Sequence, residues 1–266
     1  MKRILTTVVI SFCTILISSA QFDDKFYFPS KEWNEIENIN FEEFNFNIEK
    51  DTLNALLLKP DIDPKATIIF YHGAGGNISK YTFITKPLVQ AGYQVFAIDF
   101  RGYGKSTGKP THLNIASDAQ FMFNAIKENS HFKNLPIIIY GASMGTQIAT
   151  KMANDNQDKI SALILDGTIS SFTDMALLSA ADEQKAMIAQ YVTSPYSAKE
   201  EIKDIKNLPK IFIHSKGDQS VPFTQGETVF NNASEPKLFW EYEGNHLDAA
   251  VNFQEQYIQK INSLLN

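Results

Sequence analysis

Apolar residues recur along this chain in two rhythms: short unbroken runs of strand length, and longer stretches with helical spacing. Phe44-Asn45-Phe46-Asn47-Ile48 alternates strictly, as a half-buried strand does. Glu49-Lys50-Asp51 can turn the chain, and Thr52 to Leu58 returns as a second strand. Ala66 to Tyr71, Gln94 to Phe100, Ile137 to Tyr140, Ser161 to Leu165, Lys210 to His214 and Lys237 to Tyr242 are further runs of strand length. Helical patterns lie between them. They cover Lys80 to Ala91, Asn114 to Lys127, Gln147 to about Asn154, Phe223 to Asn231 and, closing the chain, Leu247 to Leu265. This alternation predicts an α/β fold, with a mostly parallel central sheet covered by helices on both faces.

Two stretches break the rhythm. Phe22 to Phe41 mixes aromatics, acids and Pro29, and is expected to lie over the surface ahead of the sheet. Residues 170–208 carry helical segments (Asp174 to Ala180, Glu183 to Tyr191, Ser197 to Ile205) but no strand. This stretch is too short for a core of its own and reads as a small helical lid inserted above the sheet. Its apolar residues, among them Phe172, Met175, Leu178, Met187, Ile188 and Tyr191, either line an acyl pocket or form the packed underside of the lid.

The first 20 residues belong to neither rhythm. Lys2-Arg3 precede an apolar run from Ile4 to Ile17, and Ser18-Ser19-Ala20 supply small residues suited to cleavage. This is the pattern of a secretory signal peptide, so the chain is read as a signal peptide at 1–20 and one domain at 21–266. The run is short for a membrane span, and Cys13 sits in its middle rather than at its end, against lipidation. The mature protein is therefore expected to be exported, to the bacterial periplasm or outside the cell, without a stable membrane anchor. Cleavage would remove the only Cys, and with it any disulfide, thiol nucleophile or Cys-based metal site.

With 266 residues, 44% of them hydrophobic, the chain can fill one large domain. The formal charge of −6 is spread along it, with no basic stripe that would mark a nucleic-acid partner.

Candidate chemistry centres on Gly141-Ala142-Ser143-Met144-Gly145, placed between a predicted strand and a predicted helix. G-x-S-x-G in that setting is a nucleophile elbow: a sharp turn that exposes a hydroxyl at a helix N-terminus. Asp218 and His246 follow in loops just past later strands, giving the order Ser…Asp…His, at the sheet edge where ligands bind in open α/β folds. Neutral His246 can take the Ser143 proton, and a carboxylate on its other nitrogen fixes its tautomer. Asp166, also at a strand end, is the competing acid. His72-Gly73-Ala74-Gly75-Gly76 follows a strand and offers backbone N–H groups to the same edge. The oxyanion donors are expected to be the amides of Met144 and Ala74, with Gly75 the substitute for Ala74. Neither a P-loop ending nor a G-x-G-x-x-G order is present, and no grouping has metal-ligand spacing. No metal and no cofactor are expected. His72 is read as support for its loop, His214 as packing near the acid loop, and His112 and His131 as residues of polar loops.

Four segments together resemble the Bem46-like, ABHD-like branch of the α/β-hydrolase superfamily, and also its serine aminopeptidase type. They are Phe70-Tyr71-His72-Gly73-Ala74-Gly75-Gly76-Asn77-Ile78-Ser79, Asp99-Phe100-Arg101-Gly102-Tyr103-Gly104-Lys105-Ser106, Tyr140 to Gly145, and Gly217-Asp218 with Val221-Pro222. The resemblance spans roughly residues 40–262. It implies the α/β-hydrolase fold, with Ser143 as nucleophile, Asp218 as acid, His246 as base, and Asp99 to Ser106 as a brace. Two departures stand out: Ala74-Gly75-Gly76 where the family usually has Asn-Ala-Gly, and Gly244-Asn245-His246 where it usually has Gly-Gly-His. The expected function is a serine hydrolase that cleaves a carboxylic ester or thioester of a small-molecule acyl substrate through an acyl-serine intermediate. A peptidase of the proline-aminopeptidase-like type and a non-catalytic binding protein on the same scaffold are the alternatives.

Overall fold

The computed structural model describes residues 22–265, so the expected signal peptide lies outside the described residues. The strands, in chain order, are β1 (Phe28–Pro29), β2 (Asn40–Ile48), β3 (Asp51–Lys59), β4 (Thr67–Tyr71), β5 (Gly75–Gly76), β6 (Gln94–Ile98), β7 (Ile137–Ala142), β8 (Ala162–Asp166), β9 (Lys210–Ser215) and β10 (Lys237–Tyr242). Eight of them form one sheet in the order β10-β9-β8-β7-β4-β6-β3-β2. From β6 to β10 every neighbouring pair is parallel, while β3 joins β6, and β2 joins β3, antiparallel.

Sequence composition explains which strands sit where. The central strands β4, β6, β7, β8 and β9 are buried at every position, because helices cover both faces and continuous apolar runs are what such strands need. Edge strand β2 has one covered face, so Phe44, Phe46 and Ile48 turn inward while Asn45 and Asn47 meet water. One apolar layer packs under the helices His112–Lys127 and Gly145–Asp155. The other packs under Thr82–Gln90 and the C-terminal helix Gln254–Asn262. Thr111 caps the helix that His112 opens, in a capping box closed by Asn114. No helix of the described residues is long and apolar enough to cross a membrane.

Three segments depart from the sequence expectation. The closing helix is two, Ala249–Asn252 and Gln254–Asn262, broken at Phe253 where φ is −134°. The break lets Tyr257 turn under the sheet, where its hydroxyl donates to that of Tyr140 at 3.1 Å. His112 is not in a polar loop: its ring is buried, 3.6 Å centroid to centroid from Phe172, with Nδ1 2.6 Å from the Tyr27 hydroxyl. Most consequential is the N-terminal segment, which does not merely lie over the surface. Tyr27 is buried, and β1 pairs in parallel with β5. Residues 170–208 hold the helices Phe172–Leu178, Asp182–Tyr191 and Ala198–Glu201.

Candidate active site

Ser143 stands where β7 meets the helix Gly145–Asp155, with φ +53°. A non-glycine residue in this left-handed region costs about 1–2 kcal/mol, so the corner is held there by its neighbours. The Ser143 amide donates to Asp166 O at 2.7 Å, and Ser143 O accepts from the Thr146 amide at 2.9 Å and the Thr146 hydroxyl at 2.6 Å. Gly145 permits the turn because a Cβ there would overlap the carbonyls of Tyr71 and His72, the backbone leaving β4.

His246 and Asp218 meet beside this corner. The imidazole Nδ1 donates to Asp218 Oδ2 at 2.6 Å, which leaves Nε2 of the neutral ring as the open acceptor. Asp218 Oδ1 accepts from the Ser220 and Val221 amides, each at 2.8 Å. Burial pushes the Asp218 carboxyl up, but the bond from His246 and the two amides outweigh it and hold the group below its ordinary value. His214, buried beneath, lies with Nε2 3.6 Å from Asp218 Oδ2 and 3.0 Å from Val221 O. Ser215 Oγ donates to Gly244 O at 2.6 Å and ties the acid loop to the His246 loop. The ring of His246 leans on Gly167, where a Cβ would come within 2.6 Å of Cε1.

Asp166, the competing acid, has a different partner. Its Oδ2 accepts from the Tyr140 hydroxyl at 2.6 Å and its Oδ1 is buried without a partner. Burial raises this carboxyl to about 7, against the pull of the Tyr140 bond and of His246. Of the two carboxyls, it is Asp218 that the fold sets against the imidazole.

Ala74 and Met144 border the same cleft as Ser143, and the hydrogen bonds of their peptides orient them. In the Gly73–Ala74 peptide, Gly73 O accepts from His72 Nδ1 at 2.7 Å. Because the peptide is trans and planar, holding that oxygen inward directs the Ala74 N–H the opposite way. In the Ser143–Met144 peptide, the carbonyl is held by Thr146 and the Met144 N–H is directed out of the helix N-terminus. His72 is fully buried, and burial lowers it to about 4, so the neutral ring is the form that makes this bond. The loop is pinned again one residue on: Ala74 O accepts from the Tyr103 hydroxyl at 2.6 Å and the Phe28 amide at 2.9 Å, and Gly76 O from the Ser30 amide at 2.8 Å. Asp99 Oδ1 accepts from the Ile78 amide at 2.8 Å, and Asn77 Nδ2 donates to Ser30 O and Glu32 O.

Ser143, His246, Ala74 and Met144 all line one cleft of about 560 Å³, within the usual range for small-molecule sites. More of its wall comes from the N-terminal segment (Lys25, Phe26, Phe28), the loop after β8 (Ile169), the helix Phe172–Leu178 (Met175, Ala176) and the acid loop (Val221). Sequence reasoning brought together Ser143, Asp218, His246 and the two loops. It missed Phe26, Phe28 and Ser215, whose neighbours in space are distant in the chain and leave no local pattern, while Tyr103 lies in the Asp99–Ser106 stretch expected as a brace.

The family model described as serine aminopeptidase, S33, matches residues 62–194. The bem46 protein of Schizosaccharomyces pombe is 32% identical over 200 residues, 71% of this chain and 67% of that protein. A protein of Escherichia coli O157:H7 called YfhR is 27% identical, with all of this chain and 95% of that protein covered. Among solved structures, the esterase Pf2001 of Pyrococcus furiosus superposes with a TM-score of 0.71 at 19% identity, over 90% of this chain and 98% of that one.

Proposed function

This chain belongs to the serine aminopeptidase, S33, family of α/β-hydrolases and to its Bem46-like branch, and from that premise we propose that it is a serine hydrolase of carboxylic esters or thioesters. Ser143 Oγ attacks the acyl carbonyl while His246 Nε2 takes its proton and Asp218 stabilises the imidazolium that forms. The carbonyl oxygen becomes an oxyanion held by the N–H groups of Ala74 and Met144, a donor of this kind being worth about 3–4 kcal/mol of barrier. Collapse expels the alcohol or thiol, which takes the proton from His246. Water, deprotonated by the same imidazole, then attacks the acyl-serine and releases the carboxylic acid.

The observation that carries this reading is the His246–Asp218 bond beside a strained, cleft-facing Ser143. The cleft lining favours an acyl over an aminopeptide substrate. A peptide's free ammonium calls for a carboxylate partner, whereas among the described residues those lining the cleft include Lys25 and no Asp or Glu. The esterase among the structural neighbours is consistent with this choice of substrate. Fluorophosphonate labelling of the wild type beside Ser143→Ala tests it, with labelling and p-nitrophenyl ester hydrolysis both expected in the wild type and lost in the variant. A folded wild type that takes no label would instead favour a binding protein on this scaffold.

Export completes the proposal and rests on residues 1–20 alone. N-terminal sequencing of protein recovered outside the cytoplasm should begin near Gln21; an intact Met1 terminus there would overturn it.

A further inference from the structure

A second cavity, of about 280 Å³, opens beside the cleft on the far side of Phe26. Met187, Ile188, Tyr191 and Val192 wall it from the lid, Phe22 and Phe26 from the N-terminal segment. Lys25, Phe26 and Ala176 border both spaces, so the partition between them is one side chain thick. Phe26 stands at that boundary, edge-on to Phe172 at 5.3 Å and tilted against His112 at 5.3 Å, so a chain crossing from one space to the other passes along its ring. Lys25 and Gln184 are the polar residues of the second cavity's lining, and Lys25 can lie along it by its methylene stem with its ammonium in water.

The helix Asp182–Tyr191 differs from every other α-helix of the described residues. None of its residues is buried, and Met187 and Tyr191 are 51% and 43% exposed. Its apolar side chains border a space rather than a packed layer, in a molecule whose central strands are wholly buried. Apolar walls around an unfilled groove mark a site for an apolar occupant. Adjacency to the cleft, through the shared residues Lys25, Phe26 and Ala176, says which one: a chain whose reactive end lies at Ser143 has this groove as its next apolar space.

Resting on the acyl-hydrolase reading above, we infer that the second cavity is the tail subsite for a long acyl chain, which runs from Ser143 past Phe26 and lies under the helix Asp182–Tyr191. The enzyme then prefers medium-to-long acyl groups over acetyl or butyryl ones. Each methylene that enters the groove raises kcat/KM by up to about fourfold, the equivalent of about 0.8 kcal/mol per buried methylene.

The test compares p-nitrophenyl butyrate, octanoate and dodecanoate on the wild type, Ile188→Trp, which fills the groove, and Ile188→Glu, which charges it. Binding of dansyl-labelled undecanoic acid is measured in parallel. The dodecanoate-to-butyrate ratio of kcat/KM should be well above one in the wild type and fall at least tenfold in both variants, with the fatty-acid probe weakened to match. Esters turned over with a ratio within twofold of wild type in either variant would overturn the tail subsite and leave the hydrolase reading standing. Probe binding weakened by both variants, with no ester turned over, would keep the subsite and sink the hydrolase reading. Neither hydrolysis nor probe binding would overturn both.

Discussion

Asp218 and Asp166 stand at the ends of neighbouring strands, and their surroundings push them in opposite directions. Asp218 has its charged form solvated by an imidazole and two amides and lies below its ordinary value. The stability it contributes is present above the unfolded carboxyl value of about 4 and is lost as pH falls through the lower folded value. Asp166, fully buried with one oxygen unpartnered, is raised to about 7. Its protonated form suits the fold, so that stability is fully present below about 4 and is lost as pH rises through about 7. Asp99, raised to about 7 by burial, acts in the same sense. Melting temperature should therefore fall from pH 5 to pH 8, and Asp166→Asn should remove part of that fall, on the order of 2–4 kcal/mol. An unchanged pH dependence in the variant would contradict the burial account. In catalysis the ranking reverses: Asp218→Asn should cut kcat by about 10³–10⁴ with the fold intact, by loss of the tautomer that faces Ser143. Asp166→Asn should cost tenfold or less, and a larger loss there would make Asp166 the acid.

At the scale of elements, legibility followed locality. The elbow could be read because strand, turn and helix are contiguous, and the small residue needed where the chain passes β4 is Gly145 itself. The buried strands could be read because double burial demands unbroken apolar runs. The pairing of β1 with β5 could not, since a Phe-Pro pair and a Gly-Gly pair carry no period, and 45 residues or more separate them. Yet this pairing, with Tyr103, holds the peptide after Ala74. Tyr103→Phe should therefore lower kcat by about tenfold, near the worth of one such bond, while KM stays within about twofold. Steady-state kinetics beside a thermal melt separates this from a general loss of fold, which would move the melting temperature first.

For the whole molecule, the sequence conveyed the frame of the fold, while the shape of the cleft escaped it. Its walls come from segments near residues 26, 74, 143, 175, 221 and 246, and only folding makes them neighbours. Residues 170–208 break the rhythm of the sequence and hold helices without a strand of the sheet. Which of these residues pack was not legible: Phe172 is buried in the core, Met175 lines the cleft, and Met187, Ile188 and Tyr191 border the second cavity. A helix without buried side chains opens at low free energy. Amides of Asp182–Tyr191 should exchange with deuterium orders of magnitude faster than those of β4 and β7, and a saturated long-chain fatty acid should slow them. Equal protection in lid and sheet would contradict this.

The strap formed by β1 also has a consequence in time and temperature. From a segment more than 40 residues away in the chain, the Phe28 and Ser30 amides bond the loop, and Asn77 Nδ2 returns bonds to Ser30 O and Glu32 O. The strap's ladder is two residues long, against four or more in every pairing of the large sheet, so it should be among the last parts of the protein to set and the first to let go. Refolding should restore the sheet's circular dichroism before turnover returns. On warming, the enzyme should fall silent several degrees below the temperature at which its sheet melts, and recover on cooling.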